Sequence, residues 1–248
     1  VPEDPVAFAG LCVVAFATAV LSAVVGMAGG ITLLAVMLLF LPPAVAIPVH
    51  GVIQLVSNGS RTWIQRRHAR FDILGRYALL LLPAGVLGLY ALRGLPEAAT
   101  RAGIGVFVLL ATWAPGALLL GTHPEDASPT RRFFLLGGVA GFFNVALGAA
   151  GPLIAPFFLN LGLTRQALIG TKAACQSLGH LVKVALFAGV GFGFAPWLPL
   201  LAAASACAVT GTWVGSRLLE RISERSFTRL YKGVLSLIAA RLVLSAAF

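Results

Sequence analysis

Residues 26–61 and 148–183 read as two copies of one pattern, aligned without a gap at an offset of 122 residues. Gly26 falls on Gly148, Gly29 on Gly151, Gln54 on Gln176 and Arg61 on Lys183. Each copy opens on a glycine cluster, GMAGG at 26–30 and GAAGP at 148–152. A short apolar run and a turn follow, then a long helical run that carries polar residues. No other feature restricts the fold as much. A chain that repeats its backbone breaks at constant spacing must build two like units. Paired breaks ahead of polar-striped helices are what membrane transporters use to expose backbone at the depth of a binding site.

Composition supplies the solvent around those units. The 248 residues are 59% hydrophobic and only 10% charged, against roughly 25% charged in soluble domains. A soluble core cannot hide that much apolar surface, so most of it must face lipid. The formal net charge of +10 does not indicate nucleic acid. The cationic residues sit mostly in short loops between apolar runs, where positive charge sets membrane orientation. Cys12, Cys175 and Cys207 lie inside apolar runs with no CxxC spacing and read as packing residues, with no metal site expected. The run at 6–25 has no basic n-region and is not expected to be a removable leader. No phosphate-binding P-loop occurs, and no cofactor is expected.

About 20 helical residues cross the hydrocarbon. The runs at 44–65, 73–92, 102–120, 167–188, 196–216 and 230–247 meet that length, whereas those at 31–41 and 153–163 do not. Each short run follows a glycine cluster and ends at a turn signal, so each is expected to be a half-helix of a broken or re-entrant segment. Irregular backbone at that depth is tolerated only inside protein or beside water.

The loop RRHARFD at 66–72 is strongly basic, while its repeat partner at 189–197 has no charge. Conversely, the loop at 93–101 carries two arginines and one glutamate, and its partner at 217–232 carries Arg217, Arg221, Arg225, Arg229 and Lys232 against Glu220 and Glu224. Such a swap is expected of repeats inserted upside down. The expected fold class is therefore an all-α integral membrane protein of two inverted repeats. Each repeat is a glycine-broken re-entrant or short helix pair plus three transmembrane helices. Residues 1–120 form the first repeat, 121–132 a cytoplasmic linker and 133–248 the second, with both termini non-cytoplasmic. The rival count makes 6–25 an ordinary span and 31–41 a surface helix, giving eight spans and parallel repeats.

Helix 44–65 carries His50, Gln54, Ser57, Asn58 and Arg61 at i, i+4, i+7, i+8 and i+11, one helical face. Helix 167–188 carries Lys172, Gln176, His180 and Lys183 at the same spacing. A lone glutamine reads as glue between helices, and a terminal lysine as one that reaches back to the interface. A matched pair of glutamines behind two glycine breaks reads as a site. The acids Glu3, Asp4, Asp72, Glu97, Glu125, Asp126, Glu220 and Glu224 all fall in loops or at ends of runs. Charges inside the runs are cationic, and the half-helix starts at Gly29, Gly30 and Gly151 offer backbone N–H groups. The expected ligand is a small anion held between Gln54 and Gln176, with cations toward both mouths.

The duplicated glycine cluster, short apolar run, small-residue and glutamine helix and basic loop together resemble the TauE/SafE sulfite exporter family over nearly the whole chain. Its glycine motifs match residues 26–30 and 148–151, with Ala28, Ala149 and Ala150 in place of some glycines. The resemblance implies a secondary transporter, expected to be an exporter, of a small sulfur-containing anion such as sulfite, sulfoacetate or another organosulfonate. It implies a multi-pass protein of the cell membrane, in bacteria the inner membrane. The alternative is an anion channel, or a carrier of a different small oxyanion. An enzyme is not expected: Ser57, Ser177 and His180 lack a GxSxG context and an orienting acid.

Overall fold

A computed structural model describes residues 4–25, 29–119, 123, 126–158, 161–218, 236–237, 239–240 and 242–244. The glycine-cluster residues 26–28, the basic stretch 219–235 and much of the run 230–247 lie outside the described residues. The architecture is all helical, with no strand among the described residues. In chain order the helices are α1 (Pro5–Val25), α2 (Gly29–Met37), α3 (Pro43–Ile64), α4 (Phe71–Arg93) and α5 (Glu97–Trp113). A 3-10 turn at Pro115–Leu119 follows. Then come α6 (Pro129–Ala146), α7 (Gly151–Ile154) with a 3-10 turn at Ala155–Phe158, α8 (Arg165–Gly189), and α9 (Leu198–Leu218) behind a 3-10 turn at Ala195–Trp197.

Local chemistry sets these boundaries. The Asp4 carboxylate accepts from the Val6 and Ala7 amides at 2.9 and 3.2 Å and caps α1. Pro43 occupies the first turn of α3, where a missing N–H costs nothing. The Thr164 hydroxyl accepts from the Ala167 amide at 3.3 Å and starts α8. The expected span at 102–120 stops as α-helix at Trp113. The cause is Pro115, which disfavours helical geometry at Ala114 and withholds a donor. The expected half-helix at 153–163 is α-helical only to Ile154 and then tightens to 3-10 through Phe158. Run 6–25 is one 21-residue helix, about 30 Å long and thus long enough to cross alone. By length and composition α1, α4 and α9 with its leading turn are candidate spans. Helices α3 and α8 are as long, at 22 and 25 residues, and their polar stripes lower their mean hydropathy.

Three helix pairs organise the molecule, and each joins one helix from the first half to one from the second. Small residues let two of them close. Gly137 and Gly141 of α6 sit so tightly on α4 that any side chain would strike the Tyr77 and Leu81 carbonyls. Gly211 and Gly215 of α9 sit the same way on the Phe16 and Val20 carbonyls of α1. Small residues four apart are the usual device for close helix approach in lipid. In both pairs the contact advances together along the two helices, so α4 and α6 run parallel, as do α1 and α9. The third pair is α3 with α8. Gly51 meets Lys183 while Gln65 meets Gly170, so these helices run antiparallel. Large apolar side chains such as Leu79, Leu82, Leu87 and Tyr90 of α4 remain exposed, a surface suited to lipid.

Candidate functional site

The antiparallel α3–α8 pair carries the polar stripes to a shared centre. A cavity there is lined by Gln54, His50 and Asn58 of α3, Gln176 and His180 of α8, the glycine-break residues Gly30, Ala149, Ala150 and Gly151, and Ser22 of α1. Its volume is about 20 Å³, room for a single water. A second pocket of about 10 Å³ shares Gly151, Gln176 and His180 and adds Tyr77 and Asn144. Each glutamine lies against a glycine of its own half: a Cβ at Gly30 would sit 3.2 Å from Gln54 Oε1, and one at Gly151 would sit 3.3 Å from Gln176 Nε2. Any larger residue at either glycine would press on the amide.

Along α3 the stripe is a hydrogen-bonded chain. Asn58 Nδ2 donates to the Gln54 carbonyl at 2.9 Å and to Gln54 Oε1 at 3.2 Å. With its oxygen engaged, Gln54 leaves its NH2 group to the cavity. Asn58 Oδ1 in turn accepts from Arg61 Nη1 at 3.1 Å.

Toward the N-terminus of α3, Lys183 meets His50. His50 Nε2 donates to the Gly30 carbonyl at 2.8 Å. A carbonyl only accepts, so Nε2 carries the proton and Nδ1 takes a bond from Lys183 Nζ at 3.2 Å. Lys183 Nζ also donates to the Gly148 carbonyl at 2.9 Å. Gly148 can present that oxygen because its φ is +76°, a conformation other residues rarely hold. The His180 ring stands edge-on to His50 at 5.6 Å, and its Nδ1 has no hydrogen-bond partner. One turn past Lys183, Phe187 helps line a cavity of about 400 Å³ with Pro43, Ala44, Leu92, Arg93 and Glu97.

Toward the C-terminus of α3, Arg61 and Lys172 are each 2% exposed. They lie within Coulombic reach of one another. Arg61 Nε and Nη2 are buried without a hydrogen-bond partner.

The described acids are occupied elsewhere. Asp4 caps α1, Asp72 pairs with Arg70 at 2.8 Å and Glu97 with Arg101 at 2.9 Å. Asp126 is exposed. No cluster of three metal-ligating side chains occurs among the described residues. Arginines also complete the far ends of the short helices. Arg101 donates to the Leu38 and Leu41 carbonyls past α2, and Arg132 Nη1 donates to the Phe157 carbonyl at 3.4 Å. Positive charge at a helix C-terminus complements its dipole.

The structure thus gathers Gly30, His50, Gln54, Asn58, Gly151, Gln176 and His180 around one cavity, and sets Lys183 on one flank and Arg61 with Lys172 on the other. Two expected residues point elsewhere. Gly29 packs on Thr18 and Ser22 of α1, and Ser57 Oγ reaches Thr212 Oγ1 of α9 at 3.4 Å. Besides Tyr77, two polar lining residues were not singled out from the sequence, Ser22 and Asn144. They are repeat equivalents at the same offset of 122, so extending the alignment four residues upstream of Gly26 finds both.

Buried cations and side-chain amides thus gather around a glycine-lined centre. A family model described as sulfite exporter TauE/SafE matches residues 11–242. No curated protein and no solved structure matched the chain. With that match covering nearly its whole length, the chain belongs to the TauE/SafE sulfite exporter family, a family of membrane transporters.

Proposed function

We propose that this chain is a secondary transporter, working as an exporter, of a small sulfur-containing anion such as sulfite, sulfoacetate or another organosulfonate. The observation that carries the reading is the shared cavity: two repeat-equivalent glutamines, each against a glycine break, with buried cations on both flanks and no carboxylate lining it. Amide N–H groups of Gln54 and Gln176 would replace part of the anion's hydration, and Arg61, Lys172 and Lys183 would supply the attraction.

The two halves act as inverted repeats in this reading. Support comes from the antiparallel run of the equivalent helices α3 and α8, and from the exchange that packs α1 on α9 and α6 on α4 in parallel. The basic loop at 66–72 would face the cytoplasm, in bacteria across the inner membrane. A centre that holds about one water is too small for a sulfonate, so loading requires the halves to part. That favours alternating access over the channel alternative.

The test is transport of ethanesulfonate and sulfite into proteoliposomes by the Gln54→Ala/Gln176→Ala variant. Loss of two donors to a charged ligand should lower the rate by about 100-fold or more, with helix content and elution volume unchanged. A folded double variant that transports at the wild-type rate would sink this assignment. Saturation and counterflow are expected of a carrier, and large single-channel currents would move the reading to a channel.

A further inference from the structure

The geometry points to a dedicated oxyanion seat at Arg61 and Lys172, off the centre and toward the loop at 65–70. It deepens the reading of this chain as an anion carrier by naming the ligand geometry and the place where it is first held. Arg61 donates through Nη1 to Asn58 Oδ1, and the two nitrogens left without partners are Nε and Nη2. Those two N–H groups lie on one edge of the guanidinium and point the same way. That edge is the fork that binds two oxygens of a planar or tetrahedral oxyanion side by side.

A buried arginine with an empty fork is costly unless something negative fills it. Nothing in the described protein does so. Arg61 is 2% exposed, a second buried cation, Lys172, lies within Coulombic reach of it, and Lys172 has no hydrogen bond or acidic partner among the described residues. Two buried cations held together without an acid require a shared counter-charge, and the fork sets its shape: at least two oxygens about as far apart as those of a sulfonate or carboxylate. Chloride satisfies the charge and not the fork.

The seat is also wired to the centre. Asn58 holds Arg61 through its oxygen and Gln54 through its nitrogen. An anion that draws Arg61 toward itself therefore tugs the amide that positions Gln54. The end closest to the seat is closed by Gln65 over Gly170 and by the Arg70 amide donating to Thr171 Oγ1 at 2.9 Å. These contacts, from the end of α3 and the basic loop that follows it, stand between the seat and the cytoplasm of the proposed topology.

The experiment is binding of sodium ethanesulfonate and of sodium chloride to the purified full chain in detergent, read by calorimetry. Wild type should prefer ethanesulfonate. Arg61→Lys keeps the charge and removes the fork, so ethanesulfonate should weaken by about tenfold or more, while chloride changes little. A folded Arg61→Lys protein with wild-type preference overturns the seat, as does a wild type that does not distinguish the two anions. Lys172→Met provides an independent arm should the arginine variant not fold. It should weaken both anions and keep the preference, and unchanged affinities overturn the seat. The Gln54→Ala/Gln176→Ala variant separates the two readings. Retained binding with lost transport supports both. Lost transport with an unaffected Arg61→Lys protein leaves the centre and removes the seat. Normal transport by the glutamine variant with lost binding in Arg61→Lys does the reverse.

Discussion

At one end of the α3–α8 pair Lys183 meets His50, and at the other Arg61 meets Lys172. The repeat makes these the same pair twice, because Lys183 is the equivalent of Arg61 and Lys172 of His50. Their surroundings differ completely. Lys183 is bound by His50 Nδ1 and the Gly148 carbonyl, and His50 by the Gly30 carbonyl. That end is closed by main chain from both glycine breaks and stitches the two halves together. The other end has two buried cations and two orphaned N–H groups. One end is satisfied by protein, and the other is left to a ligand. Duplicated sequence thus supplies a latch and a seat from one blueprint, and the difference lies in which backbone oxygens arrive.

This contrast breaks if both ends respond alike to losing their lysine. Lys183→Met leaves the Gly148 carbonyl and His50 Nδ1 without a donor and should destabilise the protein by about 2 kcal/mol, after relief of the buried charge. Thermal unfolding in detergent without added anion reads this. Gly51→Ala should follow, at about 1–2 kcal/mol. Its Cβ would lie 2.7 Å from Lys183 Cε, and the ammonium, held by two acceptors, cannot swing away cheaply. Lys172→Met orphans nothing and removes repulsion with Arg61, so stability should be unchanged or higher by up to about 1 kcal/mol. Equal losses from the two lysine substitutions would refute the latch-and-seat contrast. Ser57→Ala marks the floor. Its contact with Thr212 is long at 3.4 Å, so unfolding should shift by less than about 0.5 kcal/mol and transport should be retained.

Much of the helical layout was legible because it is local. Length and apolar runs place α1, α3, α4, α8 and α9 within a few residues of their observed limits. The glycine clusters mark the breaks, and the stripe on α3 emerges as a bonded chain from Gln54 through Asn58 to Arg61. Pro115, inside the run at 102–120, was a readable stop signal that run length alone passes over. Ser57 shows the limit of periodicity. It sits at the margin of the stripe, and only the helix lying beside that margin, α9, determines that it turns to Thr212. Likewise no local pattern indicates that α1 packs on α9 and α4 on α6, because GxxxG spacing shows that a helix can be approached closely and not by which partner.

By itself the sequence determined three things: an apolar content that calls for lipid as the solvent, a gapless repeat, and charges within the runs that are all cationic. Tertiary structure decided which cation is spent and which is free. Arg61 and Lys183 are indistinguishable by position and charge in the repeat. What separates them is the arrival of the Gly148 carbonyl and of His50, itself held by Gly30, at Lys183, while Arg61's fork receives nothing from the described residues. Every residue carries a carbonyl, so no residue type announces one. Only the path of the backbone through the glycine breaks brings an acceptor to one buried charge and withholds it from the other.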